Sequence, residues 1–161
     1  MRIFKHIFIT AGFVFLLVSV SFAQDCFDYH EVGDCFMDRE RGFKTYSQSK
    51  SVTLSAKDTI ELNIVFYGQK DYIFSFCTHA KFYPIHFQLI DPENGDVLYD
   101  NKNDGYLESL GIGFDVTKSL TINVDVLARK ASDVEIEDYL SCLGLLIQYR
   151  NYPGRKVKLN M

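Results

Sequence analysis

The sequence predicts an all-β protein: an antiparallel β-sandwich of Greek-key or jelly-roll type, with about seven to eight strands and a disulfide-stapled N-terminal loop. Three observations predict it. Short stretches of alternating apolar and polar residues recur roughly every 8 to 12 residues with turn chemistry between them. The aromatic supply is 14 Phe and 10 Tyr with no Trp, large residues that a pleated, half-buried surface accommodates. No long amphipathic helical pattern interrupts the series.

The chain opens with Arg2 and Lys5, runs through the apolar stretch IFITAGFVFLLVSV and reaches SFA before Gln24. A basic start, a short apolar run and small residues at Ser21 and Ala23 are the layout of a secretory signal peptide over residues 1–23. The run is shorter than the roughly 20 residues a spanning helix needs, so no membrane span is expected after cleavage. The expected location is secreted or periplasmic.

Residues 24–49 are expected to form a cysteine loop and an irregular lead-in. In an oxidising compartment the four cysteines, Cys26, Cys35, Cys77 and Cys142, read as two disulfides. Three pairings are open; the simplest joins Cys26 to Cys35 and Cys77 to Cys142. Eight residues separate Cys26 from Cys35, too many for the close cysteine pairs of a zinc site. His30, Asp28 and Glu31 are then loop decoration. The segment MDRERGFKTYSQSK is polar and turn-rich, with low regularity expected.

The sandwich is placed over residues 50–150. TIELNIVF alternates with Ile60, Leu62, Ile64 and Phe66 on one face, and Tyr67-Gly68-Gln69 turns the chain. DYIFSFC sets Tyr72, Phe74 and Phe76 against Ile73, Ser75 and Cys77. PIHFQLI points Ile85, Phe87 and Leu89 inward and His86 and Gln88 outward. DPENGDVLYDN carries the chain's strongest hairpin signal, because Asn94 and Gly95 supply positive φ before Val97 to Tyr99 return.

LGIGFDV places Leu110, Ile112, Phe114 and Val116 on one face, with Gly111 and Gly113 where another backbone can approach closely. With a turn at Lys118-Ser119 and the alternating LTINVDVL, it predicts a second hairpin. ARKASDVEIEDY reads as a charged loop with a helical turn, and LSCLGLLIQYR, apolar on both faces, as a central strand covered on both sides or partly capped outside. Residues 151–161 form a basic tail with a Pro-Gly turn.

Charge and motif exclude several functions. There are 17 Lys and Arg against 21 Asp and Glu, a formal charge of −4, and loss of Arg2 and Lys5 makes it more negative, which disfavours nucleic acid. Gly111-Ile-Gly113 holds no serine for a nucleophile elbow. His79 and His86 are seven apart rather than one helical turn apart. No phosphate loop is present, and the acids form no evident catalytic pair, so no catalytic residue is assigned and an enzyme is not expected.

Two weaker signals remain. Asp91, Glu93, Asp96, Asp100 and Asp104 offer the hard oxygens calcium prefers, although the same residues serve turns for backbone reasons. Tyr67, Tyr83 and Tyr106 fall near loops, where they are candidate ligand-contacting residues for a protein or a glycan.

The order DTIELNIVFYGQKDYIFSFC, FQLIDPENGDVLYDN, GIGFDVTKSLTINVDV and CLGLLIQYR resembles uncharacterised secreted β-sandwich proteins of Bacteroidota-type Gram-negative bacteria. More distantly it is similar to the jelly-roll sandwich domains appended to secreted peptidases. The resemblance implies a fold and no active-site residue. The expected function is thus an exported, non-catalytic binding or assembly module whose partner lies outside the cytoplasm. The alternatives are a calcium-assisted carbohydrate-binding module and, from another class, a small secreted hydrolase without a recognisable motif.

Overall fold

Strict alternation builds the sandwich. In the computed structural model, which describes residues 26–55, 59–127 and 140–151, the strands are β1 (Lys44–Thr45), β2 (Lys50–Ser55), β3 (Thr59–Phe66), β4 (Lys70–Thr78), β5 (Ile85–Ile90), β6 (Val97–Asp100), β7 (Ser109–Phe114), β8 (Lys118–Val126) and β9 (Leu140–Asn151). They form two antiparallel sheets. The first has the order β1-β9-β4-β7, with β2 also beside β9, and the second the order β3-β8-β5-β6.

The inward residues are those the alternation picks out. Ile64 and Phe66 of β3, Ile85, Phe87 and Leu89 of β5, and Leu120, Ile122, Val124 and Val126 of β8 are all buried. They face Tyr72, Phe74 and Phe76 of β4 and Leu143, Leu145 and Ile147 of β9 across one core. Phe66 organises one end of it, stacking on Phe114 at 5.1 Å and meeting Tyr72 and Phe74 edge-on. Such ring pairs add about 0.5–1.5 kcal/mol each beyond their buried area.

The β5–β6 hairpin forms as its turn sequence requires, with Gly95 at φ 77° and the Asp91 N–H donating to the Asp96 carbonyl. The second expected hairpin does not form. β7 pairs with β4 in the first sheet, whereas β8 lies between β3 and β5 in the second. Asp115-Val116-Thr117 therefore crosses between sheets, beside the other crossing at Tyr67–Gln69. The two crossings touch at Gly68: a Cβ there would sit 2.7 Å from the Asp115 carbonyl oxygen and 2.8 Å from Val116. Alternation decides which face a residue takes and leaves the partner strand open, which is why the hairpin reading failed.

The N-terminal segment Cys26–Phe43 lies as a strap over the outer face of the first sheet. This overturns the simplest cysteine pairing: Cys26 joins Cys142 of β9, and Cys35 joins Cys77 of β4. Cysteines 77 and 142 both point outward from their strands, so each meets the strap. The loop is stapled to the sheet and not closed upon itself. A four-residue helix α1 (Tyr29–Val32) lies between the two anchors.

Polar contacts continue the attachment. Gln148 of β9 grips the Asp38 backbone at both groups, accepting from its N–H at 2.7 Å and donating to its carbonyl at 3.0 Å. His30 meets the Ser51 hydroxyl of β2 at 2.7 Å. The strap explains why β9 is apolar on both faces: Leu146 and Gln148 on the outer side are as buried as the core.

Gly144 is where the strap comes closest. A Cβ there would lie 2.7 Å from Cys77 Sγ, 2.9 Å from His30 Cα and 3.0 Å from Cys35 Sγ. Replacing Gly144 with Ala is expected to lower stability by about 1–3 kcal/mol, the cost of an overpacked site. Urea denaturation checks it, and an unchanged midpoint would show that the strap can lift without loss.

Candidate functional site

Among the described residues β7 is an edge strand of the first sheet. The Phe76 N–H donates to the Glu108 carbonyl, and antiparallel pairing alternates, so Leu110, Ile112 and Phe114 turn their backbone groups to β4. Ser109, Gly111 and Gly113 turn theirs to the free edge. Opposite Ser75, Ile73 and Asp71, these three also carry almost no side chain on the outer face. Nothing lies within 4 Å of a Cβ built at Gly111.

A trough results between this bare edge and the strap. Its middle holds about 390 Å³ over Ile73, Gly111 and Gly113, walled by Phe36, Arg41, Phe43 and Arg150. Toward one end of the sandwich it continues past Phe36 into a hollow of about 330 Å³ beside Tyr106, Leu107 and Glu108. Phe36 stands between the two, its side chain 55% exposed although its backbone follows the Cys35–Cys77 anchor.

Toward the other end the trough meets a depression of about 450 Å³ lined by Arg41, Gly42, Lys44, Lys70, Tyr149, Arg150 and Asn151. Pairing sets Lys44 opposite Tyr149 and Lys70 opposite Asn151, which collects four cations from three strands and the strap. The Arg150 guanidinium is held by Asp71 at 3.0 Å, by the Arg41 carbonyl at 3.3 Å and by the Phe43 ring at 4.7 Å. Arg41 pairs with Asp38 and also lies over Phe43. Neither Asp38 nor Asp71 lines the depression; Asp71 lines the adjoining trough instead.

The Arg41 backbone N–H and then its guanidinium hold the Asp38 carboxyl below its ordinary value against the opposing effect of burial. Asp91 is lowered by the Glu93 N–H and by Lys118, and Asp100 by the Gln88 amide, the Lys102 N–H and His86. Carboxyls lowered in the folded state add stability above their unfolded value of about 4, and that contribution is lost as pH falls through the folded one. Glu108 is raised by burial and acts in the opposite sense. The melting temperature is therefore expected to fall on acidification below about pH 4, with a shallower fall in Asp38→Asn. A thermal melt series across pH 2.5 to about 6 checks it.

The tyrosines singled out in the sequence are not together. Tyr67 follows β3 at the end where Phe66 pairs with Lys118, whereas Tyr83 precedes Ile85, which pairs with Val126. β8 is nine residues long, so those ends are about 26 Å apart. Tyr83 is half-buried, its hydroxyl accepting from the Thr78 N–H at 3.2 Å, and burial raises its pKa. Tyr106, at φ 63°, meets the His86 ring edge-on at 6.1 Å and lines the smaller hollow.

The acidic residues also divide. Asp91, Glu93 and Asp96 sit in the β5–β6 turn, where Asp91 pairs with Lys118 at 3.2 Å and Asp96 accepts from the Asn94 amide at 2.7 Å. Asp100 and Asp104 lie at the other end of β6, Asp104 accepting from the Tyr99 hydroxyl at 2.8 Å. Burial, with Asp104 beside it, pushes Tyr99 up to about 12. Among the described residues no group of three or more His, Cys, Asp or Glu is arranged to hold a metal ion.

His79 is exposed and caps a short 3-10 turn. His86 is clamped, Nε2 facing Asp100 at 2.9 Å and Nδ1 facing Asp125 at 3.2 Å. With both ring nitrogens engaged by carboxylates, it braces β5 to its neighbours β6 and β8. Asp125 and the four cations were not singled out from the sequence. Strand register and the attachment of the strap to β9 make them neighbours.

No family model matches the chain, and no curated protein matches it significantly. Among solved structures, a periplasmic inhibitor of g-type lysozyme from Aeromonas hydrophila is similar with a TM-score of 0.45 at 12% identity, covering 71% of this chain and 93% of that one.

Proposed function

We propose that the protein is a non-catalytic binding module that works outside the cytoplasm and engages a protein partner with the strap-and-β7 face of its first sheet. The observation that carries this reading is Phe36, an exposed aromatic residue whose backbone directly follows the Cys35–Cys77 anchor, beside a sheet edge that is unpaired among the described residues. Aromatic anchors that are rigid before contact lose little freedom on binding and contribute a large share of interface energy. Two disulfides favour an oxidising compartment. The clamped His86 and the paired carboxylates support a scaffold role over a reacting one.

A photo-crosslinking amino acid placed at position 36, with position 97 on β6 as control, tests the reading in an extract of cells that make the protein. A discrete protein adduct from position 36 and none from position 97 is expected, together with no turnover of ester, peptide or glycoside substrates. Equal labelling from both positions, or turnover abolished by one substitution that leaves the melting curve intact, would overturn it.

A further inference from the structure

Resting on the reading that this face binds protein, we propose that what the trough receives is an extended, acidic segment of the partner, which pairs with β7 as an added strand and sets carboxylates into the basic depression. Two independent features converge on this occupant. The first is the backbone edge at Ser109, Gly111 and Gly113, unpaired among the described residues, on a strand six residues long and so about 20 Å in reach. Unpaired edge groups are met by another backbone, and a polysaccharide has no ladder of N–H and C=O groups to offer.

The second is charge. Lys44 and Lys70 line the depression together with Arg41 and Arg150 and with no carboxylate among its described lining, whereas Asp71, the partner of Arg150, lies in the adjoining trough. On a chain with formal charge −4, this is a local reversal of sign that selects an anionic partner and steers its approach. The trough and the depression share Arg41 and Arg150 as walls, so one extended chain passes from one to the other. The absence of side chains at Gly111 and Gly113 lets that chain lie close to the sheet.

The test uses the full chain with defined probes: an eight-residue peptide of alternating Glu and Thr, its Lys counterpart, a copy N-methylated at alternate amides, and heparin. Backbone amide shifts in NMR titrations are read at Gly111 and Gly113. The Glu peptide is expected to shift both amides. Binding should weaken at least tenfold with Lys44→Glu/Lys70→Glu, with N-methylation and with Gly111→Leu, and the Lys peptide should not bind. The open space at Gly111 means that its Leu variant should fold, and an unchanged melting curve verifies this.

Heparin binding tighter than the Glu peptide without shifts at Gly111 and Gly113 would reassign the depression to an anionic polysaccharide. A crosslink from position 36 that persists unchanged in Lys44→Glu/Lys70→Glu, with no Glu-peptide binding, would overturn the acidic strand while leaving the protein-binding reading intact. Loss of that crosslink in the wild-type protein would overturn the reading beneath it.

Discussion

Replacing Cys26 and Cys142 together with alanine is expected to lower stability by up to about 4.8 kcal/mol, or roughly 15 °C in melting temperature. The bond closes a separation of 116 residues, and a longer closed loop removes more entropy from the unfolded chain. Replacing Cys35 and Cys77, separated by 42 residues, is expected to cost up to about 3.9 kcal/mol. The losses should not add, because the smaller loop lies within the larger one and both bonds hold the same strap. Guanidinium denaturation of the two double variants checks this, with alkylation of the unreduced parent to establish that no thiol is free. Guanidinium midpoints unchanged from the parent would show that the sandwich does not depend on its strap.

Asn101→Ala is expected to cost about 3 kcal/mol or more, a large effect for one short side chain. Asn101 is fully buried; its amide donates to the carbonyls of Ile85 at 3.0 Å and Leu107 at 3.1 Å, and its oxygen accepts from the Phe87 N–H at 2.9 Å. Removing it leaves the buried Phe87 N–H and Ile85 carbonyl without their partner, each worth about 1–3 kcal/mol in lost compensation, together with the part-buried Leu107 carbonyl. Asn101→Asp should be worse at neutral pH, since an ionised oxygen would then face two carbonyls in place of the amide donor. Urea denaturation and exchange at the Phe87 amide report on both variants. An Ala variant within 1 kcal/mol of the parent would mean that water or a local shift replaces the amide.

Asn101 shows where sequence reading stops. In DNKNDG it looks like any turn residue, because a buried amide and a solvated one have the same letter and the same turn preference. By contrast, the inward faces of β3, β5 and β8 were legible, since each buries one face and the period of two leaves no other assignment, although Lys118 and Ser119, expected as a turn, open β8 as strand residues paired with Phe66 and Val65. β9 was legible as central from its two apolar faces. β1 and β2 were not anticipated: KT is too short to show a period, KSVTLS has only Val52 and Leu54 as apolar residues, and both strands are held by pairing with β9.

The site was legible only in fragments. Gly111 and Gly113 were marked as a place where another backbone can approach, but nothing in the structure lies within 4 Å of a Cβ at Gly111, and the exposed aromatic of the strap gave no signal, because nothing in CFDYHEVGDCF reveals that it lies on a sheet. The cysteine pairing failed for the same reason: nearness along the chain was taken for nearness in space. Arg41 and Arg150 are far apart in sequence, and the strap's attachment to β9 brings them into one wall.

The position of β9 has a consequence for synthesis. The second sheet needs nothing beyond Val126, so all its strands exist before the last part of the chain is made. The first sheet cannot close at that stage, because its centre is the final strand, with β1 and β2 on one side and β4 on the other. Until Leu140–Asn151 emerges, β1 and β2 have no strand to join, and Cys26 has no partner. A chain truncated before Leu140 thus keeps every strand of the second sheet, while its strap is left with the Cys35–Cys77 bond to β4 as its one covalent hold.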